Sequence, residues 1–133
     1  MGQPAAKQGD QIVAIDTHIV MVPAPPSPPV PTPLPHAFAG IISGGLSSDV
    51  KIMGRPAATV GSTADNTPPH VPTPPGSVLQ KPPSNKGTIQ IGSPTVKING
   101  KMAARNGDMA MTCNDPSDLP VGKVIAVGTV FIG

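Results

Sequence analysis

"VKIMGRPAATVG", residues 50–61, and "VKINGKMAARNG", residues 96–107, are nearly the same sentence written twice, 46 positions apart. Either a supersecondary unit is duplicated or a biased composition has produced a coincidence. The register decides between them. "RPAATVGS" at 55–62 aligns with "KMAARNGD" at 101–108, and a third version, "QPAAKQGD" at 3–10, opens the chain. Ala5-Ala6, Ala57-Ala58 and Ala103-Ala104 correspond, as do Gly9, Gly61 and Gly107 with the Asp10, Ser62 and Asp108 that follow them. A register this long exceeds what shared composition produces.

The first version lacks the V-K-I run that precedes the other two. The last residues supply it: "VGTVFIG", 127–133, resembles "SPTVKING", 93–100, with Val130 and Ile132 in the places of Val96 and Ile98, and of Val50 and Ile52. Read in a circle, the chain holds three quasi-equivalent units closed into a ring, with its two ends adjacent. V-K-I alternates apolar, polar, apolar, the pattern of a half-buried strand. The repeated glycines suit turns, and the Ala-Ala pairs leave room for three copies to crowd one axis. Short strands with glycine punctuation and no helical period predict an all-β chain, one domain over 1–133.

Composition bounds the rest. Twenty Pro and fifteen Gly in 133 residues fall where low-complexity disorder competes with folding, and the chain has two Phe, no Trp and no Tyr. Only 12% of residues are charged, unlike a solvated, self-repelling chain. The formal charge of +2 comes from scattered cations without stacking aromatics, so no nucleic-acid partner is expected. No apolar run approaches membrane-spanning length, and "MGQPAAKQGD" has no apolar core of a secretory signal, which predicts cytoplasmic assembly. One Cys makes no internal disulfide, so something else must staple an aromatic-poor chain.

The imidazole and thiol groups are His18, His36, His70 and Cys113. Pro4 to Pro56 is 52 positions, and so is His18 to His70, so both histidines occupy one place after their Pro-Ala-Ala turn. Cys113 follows Gly107 by six residues where the histidines follow their glycines by nine, and a shorter turn brings the thiol to an equivalent location. A threefold arrangement gathers these side chains near its axis, a set suited to a borderline-soft ion such as zinc. His36 is the natural fourth donor, with water or Asp115 as the alternative. Asp16 and Asp115 read either as partners of the ligands or, more simply, as exposed loop acids. Structural zinc contributes about 10–16 kcal/mol in small peptides, a fitting staple here. The proline-rich stretches 22–36 and 67–84 read as stiff loops delivering His36 and His70, or alternatively as polyproline ligands for a partner groove.

These residues resemble the PAAR-repeat proteins. "GRPAATVGS" and "GQPAAKQGD" keep Pro-Ala-Ala, while "GKMAARNGD" keeps Ala-Ala-Arg. The resemblance implies a small cone of three pseudo-symmetric β units, with zinc or sometimes iron near its apex bound by three histidines and a cysteine. Here those are His18, His36, His70 and Cys113. It further implies a base that seats on a trimeric valine-glycine-repeat spike, one chain per trimer, in a type VI secretion or related contractile injection machine. Val50, Ile52, Val96, Ile98, Val130 and Ile132 would furnish that base, unless they pack inward. Effector loading, export with the spike and brief contact with a target membrane follow from the same likeness, with no toxin extension within these residues. Two rivals remain: a zinc-dependent or Cys113–His hydrolase, against which stands the absence of any Glu, and a proline-rich adaptor.

Overall fold

The computed structural model describes residues 2–133, which form thirteen strands and no helix. In chain order these are β1 (Gln3–Pro4), β2 (Gln11–Ala24), β3 (Ser27–Gly44), β4 (Lys51–Ile52), β5 (Arg55–Pro56), β6 (Thr63–Asn66) and β7 (Val78–Leu79). There follow β8 (Lys86–Ile89), β9 (Lys97–Ile98), β10 (Lys101–Met102), β11 (Met109–Thr112), β12 (Leu119–Ile125) and β13 (Phe131–Ile132).

Each copy of the repeated sentence makes a miniature hairpin. β4 pairs with β5 and β9 with β10, while β1 pairs with β13 through Gln3 and Ile132, so the two ends of the chain complete the third hairpin. Met53-Gly54 and Asn99-Gly100 turn the first two with positive φ throughout (52° and 80°, 53° and 78°), as a two-residue turn matched to strand twist demands. The hairpins carry Ile52, Ile98 and Ile132 into a buried cluster with Ala5, Ala57 and Ala103. Their Lys51 and Lys97 stay exposed. The V-K-I alternation is therefore realised over two residues rather than three. Each valine precedes its strand, and Val50 and Val130 are 36% and 40% exposed while Val96 is half-buried against the cluster.

The Ala-Ala pairs are where the copies meet. Ala58 N–H donates to the Ala6 carbonyl at 3.0 Å, Ala6 N–H to Ala104 at 2.9 Å, and Ala104 N–H to Ala58 at 3.0 Å. The cycle closes on itself, and all six alanines are at most 2% exposed. Backbones at hydrogen-bond distance leave no volume for larger side chains between them. The glycine turns then follow one plan, with φ of 94°, 95° and 89° at Gly9, Gly61 and Gly107, a region costly to any residue with a Cβ. The next side chain closes each turn. Asp10 Oδ2 accepts from Lys7 N–H, Ser62 Oγ from Thr59 N–H, and Asp108 Oδ2 from Arg105 N–H.

Beyond the turns, three longer hairpins form a closed antiparallel sheet in the order β2-β3-β6-β8-β11-β12, with β12 returning to β2 and β7 added along β2. Its interior holds Ile12, Phe38, Ile42, Ala64, Ile89, Ala110 and Val124. Gly87 makes room for the one buried phenylalanine, since a Cβ there would stand 3.2 Å from the Phe38 ring.

The first proline-rich stretch departs from the expected loop. Residues 22–36 lie on the end of β2, a tight turn and the first half of β3, so His36 is carried by a strand. Pro31, Pro33 and Pro35 oppose Met21, Ile19 and Thr17. The amides of Ile19 and Thr17 point away from β3, toward Asp115 and Asn114. In antiparallel pairing, opposed residues direct their amides alike, so these prolines lack only a donor that the ladder never uses. They also blunt the outer edge of β3 against unwanted pairing. The second stretch, 67–84, is irregular apart from β7.

Candidate metal centre

β2 is long enough to leave the apolar interior and continue past it. Its even-numbered residues face inward, with Ile12, Asp16, His18 and Val20 all fully buried. His36 sits opposite Asp16 across the β2–β3 ladder. The loop after β6 brings His70, whose ring lies 6.1 Å from that of Phe38. Cys113 directly follows β11 and is part of the main core cluster. The site thus rests on the apolar interior, across the alanine belt from the miniature hairpins.

All four imidazole and thiol groups named from the sequence meet here. The ring of His18 stands 5.3 Å from that of His36 and 4.8 Å from that of His70, and His36 and His70 are 5.4 Å apart. Cys113 Sγ is 3.7 Å from His18 Nε2. A fifth group stands among them. One donor atom from each of Asp16, His18, His70 and Cys113 lies within 4.8 Å of the others, and Asp16 Oδ2 is 2.8 Å from His70 Nε2 and 3.5 Å from Cys113 Sγ.

The reading of Asp16 and Asp115 as exposed loop acids is therefore corrected. Asp16 is fully buried, and the Asp115 side chain is 4% exposed, its Oδ2 accepting from Ile19 N–H and lying 3.5 Å from His18 Nδ1. The physical reason is the length of β2: position 16 is two residues from His18 on the same strand, hence on the same inward face. That period-two signal, Ile12 to Val20, was available in the sequence. Thr112 and Asn114, which bond Asp16 Oδ1, and Asn66, which holds His70, carried no comparable signal.

Electrostatics agree with a cation site. His36 Nε2 and His18 Nδ1 are buried without a hydrogen-bond partner. A group left so costs about 1–3 kcal/mol unless something binds it. Burial, outweighing the attraction of Asp115, pushes the His18 pKa below its ordinary value, so the imidazole is neutral and has a lone pair to give. Burial, reinforced by Asp16, pushes the Cys113 thiol up, so it keeps its proton until a cation displaces it. Imidazoles, a carboxylate and a thiol converging in a buried site are able to hold a metal ion.

Fold and site together define a small all-β protein built from three copies of one unit, with a buried cluster able to hold a metal. The model of the PAAR motif family matches residues 70–133, and this match supports a PAAR-repeat protein. No curated protein matches it significantly.

Proposed function

We propose that this chain is the metal-pinned tip of a contractile injection spike: one ion held among His18, His36, His70, Asp16 and Cys113 at one end, and the miniature hairpins seated on a trimeric spike at the other. The PAAR motif fits a spike-tip role in contractile secretion systems, a structural rather than catalytic task. The observation that carries the reading is the closed cycle of backbone bonds through Ala6, Ala58 and Ala104. A single chain with three copies of one unit offers a threefold end to a homotrimer, and only one such chain fits per trimer.

Ile52, Ile98 and Ile132 face inward, into the cluster they form with Ala5, Ala57 and Ala103. What the hairpins offer a partner is their outer surface, with Val50, Val130, Phe131, Lys51 and Lys97, and their short open backbone edges. Zinc suits the nitrogen and sulfur donors, and iron(II) is compatible with them. Assembly in the cytoplasm, export with the spike, effector carriage and brief contact with a target membrane belong to the same proposal. The test is co-purification of the chain with a candidate trimeric spike, with metal analysis of the complex. One chain and one ion per trimer supports the reading. A spike that retains no chain, or retains three, contradicts it.

A further inference from the structure

We infer that the end of the spike that receives this chain is acidic: a carboxylate repeated three times by the trimer, of which Lys51 and Lys97 meet two copies while Phe131 leaves the third unpaired. The inference names the partner chemistry of the seat proposed above and rests on that reading. It starts from the distribution of charge. Residues 3–10, 49–62 and 96–108, which contain the three repeated units, hold six of the nine Lys and Arg but three of the seven Asp. Two of those acids are engaged within their own turns, Asp10 by Lys7 and Asp108 by Arg105. The third, Asp49, accepts from the Asn99 amide at 2.7 Å. Lys51, Arg55, Lys97 and Lys101 remain exposed, and among the described residues none of them has an ion-pair partner. Four cations on two hairpins repel one another in the free chain, and a partner of opposite charge removes that cost.

Place in the repeat gives these cations their direction. Lys51 and Lys97 each precede an isoleucine that faces inward, so their side chains take the opposite, outer face of the hairpin. Arg55 and Lys101 are equivalent as well. Each reaches over the glycine turn of another unit, Arg55 over Gly9 and Lys101 over Gly61. A groove beside the second hairpin is lined by Lys97 and Lys101 together with Val60, Pro94 and Met102. A carboxylate placed there meets two cations against apolar walls, where charge attraction is stronger than in open water.

The hairpin completed by the chain ends breaks the pattern. Phe131 stands where the other two have lysine, Gln3 stands where they have arginine or lysine, and Phe131 is 60% exposed. A homotrimer cannot follow this break, because it presents the same group at all three seats. Its third carboxylate therefore faces an aromatic ring where its two copies face an ammonium.

The experiment uses the full chain and a trimeric valine-glycine-repeat spike from the same organism, with affinity measured at rising salt. A wild-type chain that binds no spike at low salt overturns the proposed function and this inference together. With binding established, affinity is expected to fall about tenfold or more as salt rises from about 0.05 to 0.5 M. Lys51→Glu combined with Lys97→Glu is expected to weaken binding by about 100-fold, since it sets like charges face to face. Phe131→Lys, which gives the third carboxylate its partner, is expected to tighten binding about threefold. Affinity unmoved by salt or by the double reversal, or a Phe131→Lys chain that binds no tighter, overturns the acidic seat while leaving the spike-tip reading intact. The salt series needs no variant to fold.

Discussion

Cys113 gathers the chemistry of the site at the scale of one residue. Its thiol keeps its proton in the metal-free protein because burial and Asp16 disfavour the thiolate, so ion binding must expel that proton. Zinc affinity is accordingly expected to rise about tenfold per pH unit above the imidazole range and to fall faster below it, measurable by competition titration with a chromophoric chelator. A pH-independent affinity would exclude the thiolate as a ligand. The metal-free fold has its own sign. His18 is held neutral by burial, so as pH falls through about 6.5 the unfolded chain takes up a proton that the folded one refuses, and stability is lost on the acid side. Thiol reagents should react slowly with metal-loaded protein and faster after chelation, and Cys113→Ser should lose stoichiometric zinc on dialysis. The histidines and cysteine were legible because they are rare and two of them share a register. Asp16 was singled out beside His18 but read more simply as an exposed loop acid, because nothing local says that its strand continues that far.

At the scale of elements, the turns show how far the repeat constrains the chain. Met53 and Asn99 occupy equivalent positions with φ of 52° and 53°, yet only asparagine tolerates that conformation cheaply. Met53→Asn should therefore stabilise the protein by about 0.5–1 kcal/mol, read as a higher denaturant midpoint at unchanged slope. A lower midpoint would mean that the Met53 side chain, near Thr129 and Gly128, matters more than its backbone. The alanine belt makes the opposite prediction. Ala58→Val adds methyl groups where three backbones already touch, and should cost about 1–3 kcal/mol by the same measurement. The miniature hairpins, alanine crossings and glycine turns were legible because each has a strict local cause, repeated three times. The β2–β3 hairpin was not. Its prolines argue against a strand until one sees that they alternate, and that alternation leaves the paired side of β3 intact.

At the scale of the molecule, the described residues form two modest apolar clusters with the alanine belt between them, and few large side chains in either. Ordering each residue costs about 1–2 kcal/mol of backbone entropy, and one buried phenylalanine offsets little of it. The circular closure was written in the sequence, since Val130 and Ile132 complete the first copy. The closed sheet was not, because its strands share no words across the three copies beyond the glycine turns. An ion held among β2, β3, the loop after β6 and the residue after β11 would tie together segments that local sequence leaves independent. The most direct test is calorimetric unfolding of the chain with one zinc bound and again after chelation. A single cooperative transition that falls by roughly 10 °C or more on metal removal is expected, consistent with the energy of structural zinc sites. A transition at the same temperature with and without the ion would contradict the claim that the metal pins this fold.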